Sequence, residues 1–390
     1  MTKEINNISI LIGNGFDIQV LNHLNVPTNT SYYSFYNFIN WKYSNEVRKN
    51  LIVQKMKSDK ELGEGNWSDF ENTIKNIIKS EYENKEEIFS NTQYITSLTE
   101  LQTYFSDFLN TIVTTDVLTQ VDKLGEIMES PKFGARTSLP LYTLQFFLGD
   151  LSCEELKRMK FVENAHHHNT INFTFFNFNY TPLFDNYIML DKNNFDPHMY
   201  KQSSNNFHLQ LFKDEGVKEE CYTELSSRLF HPHGFQHTPR SMLFGFDNPN
   251  QVIKGYKGDL YTNSEVQEYV KYFLKPYWAE NDKKYKHFLN ETELFIIFGL
   301  SIGESDKYWW KNIADGLVTG KAELIIYNYS NNDTEEEKNR VAMNFLSVSG
   351  VISDNDICNA LRRIFVVNFN QSKTRYAFNV DKNNIPRDEI

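Results

Sequence analysis

The sequence predicts an α/β protein: a Rossmann-like, mostly parallel sheet with a large α-helical insertion. In the C-terminal half of its 390 residues, short and continuously apolar runs alternate with helical patterns. A parallel sheet that is covered on both faces requires such runs. A similar apolar run near the N-terminus is followed by a long, charged, helical stretch. We therefore expect residues 1–40 and 165–380 to form the sheet domain, and residues 41–164 to form a helical insertion or cap.

The first elements along the chain are one strand and several helices. Residues 8–13 form a strand-type run that glycines end, and the residues after it carry apolar side chains at helical spacing on both sides of Pro27. From about 45 to 160 the pattern is helical and charged. The clearest amphipathic stripe within it consists of Leu98, Leu101, Phe105, Phe108, Leu109 and Ile112.

The remaining predicted strands lie in the C-terminal part of the chain. They are the apolar runs 170–180, 241–246, 293–301, 322–330 and 363–370. Helices are predicted between the last three of these runs, over 305–317 and 333–347. The N-terminal strand is expected to join the same sheet, because it has the same continuously apolar character.

Composition excludes several classes of function. The formal net charge of −11 argues against a broad electrostatic grip on nucleic acid. The polar N-terminal residues and the lack of a long apolar run predict a cytoplasmic protein without a membrane span. The three cysteines, Cys153, Cys221 and Cys358, are far apart and form no CxxC pair, so neither a disulfide framework nor a cysteine zinc site is expected.

The first candidate site is the loop Gly13-Asn14-Gly15 with Asp17 close behind it. Two glycines let the main chain turn tightly and present N–H groups to a phosphate, and the next helix adds its positive end. The alternative is a simple strand–helix turn with Asp17 as the helix N-cap. The stretch lacks the full GxGxxG spacing, and the absence of GxxxxGK[ST] excludes a standard P-loop.

A second glycine loop ends the strand-type run 293–301. Gly299 and Ser301 could accommodate a ribose or a phosphate, and Asp306 stands at the start of the following helix. Capping of that helix would explain Asp306 equally well.

Two further stretches carry polar groups that suit catalysis. In "NFNYT", Asn179 could position a ribose hydroxyl or an attacking water, with Tyr180 beside it. The alternative is a strand end whose asparagine caps a helix opening at Pro182. In "HPHGFQH", His233 precedes a glycine and is the best candidate for a general acid or base. A metal site is not expected, because such a site would need a further ligand.

The stretch "NWSDFEN" within the helical insertion allows two interpretations. Ser68 and Glu71 have the S-x-x-E spacing of a capping box, which is the favoured interpretation. Alternatively, Trp67 and Glu71 lie over a ligand-binding crevice at the strand ends and contribute a ring and a carboxylate to it. Ligands of open α/β sheets bind at the carboxyl ends of the strands. The four loops that contain Gly13, Asn179, His233 and Gly299 could therefore meet in one crevice there.

The order of these motifs resembles the bacteriophage abortive-infection family AbiH. GNGFD, WSDFE, NFNYT, HG and GLSIGESD follow one another between about residues 8 and 330, and "VPTNTSYYSF" supplies Pro27, Thr28 and Tyr32 or Tyr33 in a P-T-x-Y-type segment. The resemblance implies cytosolic defence against phage, in which infected cells stop growing or die. The expected partners are a dinucleotide, a phage-derived trigger and further copies of this chain in a homo-oligomer.

The chain is also distantly similar to sirtuin-like proteins, including prokaryotic defence NADases. That family has a G-A-G-x-S loop, a T-x-N-Y-D segment, a catalytic L-H-G and a late G-x-S-x-x-D. The resemblance implies that the glycine loops hold the pyrophosphate of NAD, that Asn179 positions a ribose hydroxyl or the water, and that His233 is the base on the nicotinamide ribose. The matching positions are Gly13-Asn14-Gly15, Asn179-Tyr180, His233-Gly234, and Gly299 through Ser301 to Asp306.

Several departures from the sirtuin pattern narrow the expected reaction. Asn14 replaces a small alanine, Phe16-Asp17 replaces the serine region, and Thr181 stands where the family has aspartate. A four-cysteine zinc ribbon is lacking, so glycohydrolysis of NAD fits better than protein deacetylation, and no metal is expected. Two alternatives stay open: a non-catalytic nucleotide-binding sensor, and an interaction protein whose insertion captures a phage component.

Overall fold

The computed structural model describes residues 5–84, 90–124, 128–129, 136–166, 169–188, 207–214, 217–253 and 268–386. Its strands are β1 (Ile5–Ile12), β2 (Met128–Glu129), β3 (Arg136–Thr137), β4 (Thr170–Asn177), β5 (Phe207–Asp214), β6 (Val217–Phe230), β7 (Leu294–Phe298), β8 (Glu323–Tyr329) and β9 (Ile364–Phe369). Seven of them form one sheet in the order β5-β6-β4-β1-β7-β8-β9, and β2 pairs with β3. Only β5 runs antiparallel to its neighbour in the large sheet. The predicted Rossmann-like, mostly parallel sheet is confirmed.

Helices surround this sheet. In chain order they are α1 (Asn14–His23), α2 (Tyr32–Lys42), α3 (Leu51–Glu61), α4 (Phe70–Asn84), α5 (Asn91–Ile112), α6 (Thr115–Leu124), α7 (Leu139–Phe146), α8 (Cys153–Arg158), α9 (Lys160–Asn164), α10 (Leu183–Ile188), α11 (Glu268–Tyr272), α12 (Lys275–Ala279), α13 (Asn281–Lys284), α14 (Lys286–Glu291), α15 (Lys307–Val318), α16 (Glu335–Ser349) and α17 (Asp354–Leu361). Short 3-10 helices occur at Val47–Lys49, Phe147–Asp150, Pro239–Ser241, Pro249–Gln251, Glu304–Asp306 and Lys382–Asn384. Within the described residues, no helix has the length and apolar character needed to cross a membrane.

The central strands carry apolar residues on both of their sides because both faces of the sheet are covered. Along β1, Ile8, Ile10 and Ile12 belong to one hydrophobic cluster, whereas Leu11 belongs to the cluster on the opposite face. The first cluster includes apolar residues of α1, α10 and the insertion, and the second includes those of α15, α16 and α17. Successive side chains of a strand point to opposite faces, so a strand between two such layers has apolar residues at successive positions, as in the half of β1 that leads to the first glycine loop.

The insertion contributes α3 to α9, and its apolar faces belong to the same hydrophobic cluster as the first face of the sheet. The stripe predicted between Leu98 and Ile112 lies on α5, and all six of its residues are buried. Helix α5 therefore ties the insertion to the core. The division of the chain into two domains stays a prediction.

The helices predicted between the last strands are confirmed as α15 and α16. The Thr334 side chain accepts a hydrogen bond from the Glu337 amide at the start of α16, and Gly350 ends that helix in the left-handed conformation.

The structure differs from the sequence prediction in two strands and one loop. The run 241–246, predicted as a strand, is a 3-10 turn followed by an extended loop with one β-bridge, between Phe246 and Leu274. Its buried rings pack on aromatic neighbours, such as Phe244 on Phe70, and not on a sheet. Conversely, β5 and β6 were not predicted, because charged residues interrupt their apolar pattern.

Candidate functional site

The four polar loops follow four neighbouring strands of the sheet, in the order β6-β4-β1-β7. Ile12 pairs with both Asn177 and Phe298, and Phe176 pairs with Phe230, so these strands end at one edge. Strand β7 follows β6 in the chain but lies on the opposite side of β1. The two glycine loops therefore flank the point where the strand order reverses, which is where open α/β sheets bind ligands.

A cavity of about 390 Å³ lies at this edge. Its volume is within the range of small-molecule sites. The residues predicted for the site that line it are Gly13, Asn14, Gly15, Asp17, Glu71, Asn179, Tyr180, His233, Gly299, Ser301 and Asp306. The structure thus brings together residues from four strand ends and from the insertion.

Trp67 lies apart from these residues. It lines a different cavity, together with Lys55 and Asp59. Its ring packs edge-on against Tyr36, with a centroid distance of 4.9 Å, and Lys60 Nζ lies 4.6 Å from the ring centroid. In this structure Trp67 packs between α2 and Lys60 of the insertion, and it does not line the cavity at the strand ends.

The two glycine loops pack against each other backbone to backbone. The Gly15 amide donates to the Gly299 carbonyl (2.8 Å), and the Gly13 amide donates to the Phe298 carbonyl (2.9 Å). A Cβ atom at Gly15 would lie 2.6 Å from the Gly299 Cα, and Gly299 itself has a φ of +69°. The glycines are required because any side chain here would separate the loops. The amides of Gly13, Gly15 and Phe16 all bond to carbonyls of the protein.

Asn14 ties the first glycine loop to the segment that precedes α2. Its Nδ2 donates to the Thr30 carbonyl (3.1 Å), and the Thr30 hydroxyl donates to Asn14 Oδ1. Thr30 is buried and also lines the cavity. Asn14 therefore attaches the first glycine loop to the segment around Thr30, and both line the cavity.

Asp17 organises the loop that follows β4. Its Oδ1 accepts a hydrogen bond from Asn179 Nδ2 (2.9 Å), and its Oδ2 accepts one from the Thr181 hydroxyl (2.5 Å). Helix α1 already begins at Asn14, so Asp17 is a first-turn residue and the N-cap interpretation is wrong. Burial raises the pKa of Asp17 to about 7, although the hydrogen bond from Thr181 partly offsets this.

The histidines after β6 have different surroundings. His231 Nε2 lies 2.6 Å from Asp185 Oδ1, and the Asn177 amide donates to the other oxygen of that carboxylate. His237 is exposed. Across the part of the chain that the structure describes, no group of three or more His, Cys, Asp and Glu side chains could hold a metal ion.

His233 is buried at the end of the cavity. Its ring packs edge-on against Phe178, with a centroid distance of 4.9 Å, and its Nε2 lies 3.0 Å from Asp306 Oδ1. The direction of this approach is not that of a hydrogen bond, so Nε2 has no aligned partner among the described residues. Burial, with Lys275 as the second cause, lowers the pKa of His233. The ring is therefore neutral near pH 7.

Lys275 is a site residue that the sequence did not reveal. Its side chain has no solvent exposure, and its Nζ lies 3.1 Å from Asp306 Oδ1 and 3.3 Å from Glu71 Oε2. Burial would lower the pKa of Lys275, but Asp306 and Glu71 outweigh burial and raise it, so the side chain remains charged. The signal in the sequence is a single lysine in the apolar stretch "YFLKPYW".

Glu71 faces this lysine and does not form a capping box. The amide of Asn72 donates to Asp69 Oδ1 (3.1 Å), so Asp69 caps α4. The favoured interpretation of Ser68 and Glu71 is therefore wrong, because the buried ammonium group of Lys275 offers a charged partner for the glutamate. Glu71 Oε1 is buried and has no hydrogen-bond partner within the described chain.

The ammonium group of Lys275 thus interacts electrostatically with three buried carboxyl groups, those of Asp306, Glu71 and Asp247. Burial raises the pKa of Glu71 to about 8, and burial followed by Asp306 raises the pKa of Asp247 well above its usual value. Burial alone would raise the pKa of Asp306 as well. The charge of Lys275, followed by the contact with His233, outweighs burial and lowers this pKa. At neutral pH, Asp306 balances the charge of Lys275, and a pKa of about 8 leaves Glu71 mainly protonated.

A larger cavity, of about 760 Å³, adjoins the first at the ends of β7, β8 and β9. Both cavities are lined by Gly15, Ile18 and the segment 299–301. The larger one also has aromatic and amide side chains in its wall, including Tyr327 and Asn328. The buried guanidinium of Arg375 lies 4.3 Å from the ring centroid of Phe369 in the same wall. The two cavities thus adjoin each other at the glycine loops, which line both of them.

The comparison with known families agrees with the order of the motifs. No curated protein matches the chain significantly. The family model described as "Bacteriophage abortive infection AbiH" matches residues 10–328, which include both glycine loops and the whole insertion. Because this match spans well over half of its residues, the chain belongs to the bacteriophage abortive infection family AbiH.

Proposed function

We propose that this AbiH protein acts in phage defence by hydrolysing the N-glycosidic bond of NAD to nicotinamide and ADP-ribose. Membership of the family indicates a role in abortive infection. The observation that carries the proposed reaction is the meeting of Asn179, His233 and both glycine loops around one cavity, at the point where the strand order reverses.

The two adjoining cavities suit the two halves of a dinucleotide. In the proposed complex, the nicotinamide riboside half occupies the smaller cavity and the adenosine half occupies the larger, aromatic cavity. The pyrophosphate crosses the contact between Gly15 and Gly299, where the absence of side chains allows a close approach. The dipole of α1, which begins at Asn14, favours a negative charge at this position, although the amides of Gly13, Gly15 and Phe16 are bonded within the protein.

Hydrolysis needs little covalent chemistry from the protein. The bond between ribose C1 and the pyridinium nitrogen breaks, its electron pair goes to the nitrogen, and water attacks the oxocarbenium-like centre. In the proposal Asn179 positions the water or a ribose hydroxyl. The neutral His233 accepts a proton from a hydroxyl of the nicotinamide ribose and returns it to that hydroxyl as ADP-ribose forms. The cavity supplies orientation, which is a large part of such catalysis.

The second candidate function is a nucleotide-binding sensor without catalysis. Two contacts favour it: the Asn179 amide is already bonded to Asp17, and His233 Nε2 faces Asp306. A sensor would bind NAD or a related nucleotide saturably and leave it intact.

The test is an assay of the purified protein with NAD, with and without phage lysate, in which nicotinamide and ADP-ribose are quantified. We expect both products from the wild type, and His233→Ala and Asn179→Ala are expected to abolish them. His237→Ala, which changes an exposed histidine of the same segment, should retain activity. No turnover under either condition rejects the hydrolase, and saturable binding in that case supports the sensor.

A further inference from the structure

Glu71 belongs to the helical insertion, but its carboxyl group faces the cavity that the strand ends build. It is the second residue of α4, and it is buried. One of its oxygens, Oε2, is held by Lys275 Nζ at 3.3 Å. The other, Oε1, is buried without a hydrogen-bond partner among the described residues, in a side chain that lines the cavity. A buried carboxyl oxygen left unpaired is costly unless a ligand or water bonds to it.

The lysine fixes the orientation of this carboxyl group. Lys275 is itself held by Asp306 at 3.1 Å, and Asp306 lies on the loop of the second glycine motif. Glu71 is therefore attached to the sheet through Lys275, although the two residues are 204 positions apart in the chain. A side chain held in this way is preorganised, which catalytic groups require.

The proposed hydrolysis leaves one task without a residue. The attacking water must lose a proton as its oxygen bonds to ribose C1, and His233 is already assigned to the ribose. Burial raises the pKa of Glu71 to about 8, so its ionised form, a minor fraction at neutral pH, is a stronger proton acceptor than an exposed carboxylate.

We propose that Glu71 is a further catalytic residue, which accepts the proton of the water that attacks the nicotinamide ribose. In this step the water oxygen forms a bond to C1, the bond from C1 to nitrogen breaks, and its electron pair stays on nicotinamide. One water proton goes to Glu71 Oε1 and is then released to solvent. This inference rests on the proposed NAD hydrolysis.

The test separates hydrolysis from exchange of the nicotinamide group. Labelled nicotinamide attacks C1 through its ring nitrogen, so exchange into NAD needs no proton acceptor, whereas hydrolysis does. Glu71→Gln keeps the size and a hydrogen bond to Lys275. We expect it to lower hydrolysis at least about 100-fold, which is typical of a lost general base, while exchange stays close to the wild-type rate. A parallel loss of both reactions, or unchanged hydrolysis, overturns the proposal.

Two further variants complete the design. Glu61→Gln changes an exposed glutamate of the insertion and should leave both reactions unchanged. Glu71→Asp withdraws the carboxyl group by one methylene and should also lower hydrolysis more than exchange. If the glutamine variant fails to fold, the aspartate variant decides the question by the same ratio. A wild-type protein that neither hydrolyses nor exchanges NAD rejects the proposed function itself, whereas wild-type turnover with an active Glu71→Gln rejects only the role of Glu71.

Discussion

Lys275 Nζ lies 3.1 Å from Asp306 Oδ1, with the lysine side chain completely shielded from solvent. This contact joins the start of α12 to the loop after β7, and through Glu71 it also reaches α4 of the insertion. Because His233 approaches the same oxygen of Asp306, the ion pair sits directly behind the cavity. It links the stability of the fold to the geometry of the site.

Removal of this lysine should strongly destabilise the protein. Lys275→Met leaves the Asp306 carboxylate buried without a cation, and we expect the free energy of unfolding to fall by about 3 kcal/mol or more. Urea denaturation measures this loss. The double variant Lys275→Met/Asp306→Asn removes both charges and should recover part of it, whereas Lys311→Met, at an exposed position, should change stability little. A double variant less stable than the single one would contradict the pairing.

Stability should fall as pH rises from 5 to 8, and Asp17 should account for part of the fall. Its pKa in the folded protein is raised to about 7, mainly by burial, so the folded state retains a proton that the unfolded state has lost above about pH 4. This contribution is present at pH 5 and disappears as pH passes 7. Asp17→Asn cannot ionise, so its free energy of unfolding should change by about 2 kcal/mol less across the same range. Chemical denaturation at both pH values tests this, and an unchanged pH dependence in the variant would refute it.

The contact between the glycine loops should tolerate no methyl group. Gly299 has a φ of +69°, and a Cβ atom there would lie 2.7 Å from the Phe16 amide nitrogen. Gly299→Ala should therefore lower the free energy of unfolding by about 2 kcal/mol or more. Gly303→Ala is the matched control in the same loop, because the nearest atom to its Cβ would be 4.0 Å away. Equal thermal denaturation midpoints for the two variants would show that the loops are not in close contact.

A double-mutant cycle should detect the link between Asn14 and Thr30. The Asn14 side chain donates a hydrogen bond to the Thr30 carbonyl, and the Thr30 hydroxyl donates one to Asn14 Oδ1. We expect Asn14→Ala and Thr30→Val to be non-additive, with a coupling energy of about 1 kcal/mol in urea denaturation. The exposed Thr28 provides a control, since Thr28→Val should be additive with Asn14→Ala. Full additivity of Asn14→Ala and Thr30→Val would contradict this link.

The sequence was a good guide to the sheet and to the candidate loops. Continuous apolar runs reveal strands buried on both faces, and the loops after β1, β4 and β7 were placed correctly because glycine and asparagine mark the strand ends. Strand β6 was missed, since residues such as Lys218 and Glu219 break its apolar pattern. The motif alone therefore identifies His233 as a candidate, whereas β6, the strand that positions it, is evident only in the structure.

The sequence by itself determined the α/β class, the family and the polar loops at the cavity, because strand patterns and motifs are local in the chain. Only the tertiary structure decided the partners of those residues. Nothing near Glu71 indicates a lysine 204 positions later, so the local pattern favours a capping box over the hydrogen bond from Lys275 that actually forms. Burial decides such pairings: a charge removed from water must find an opposite charge, and the fold determines which one is within reach.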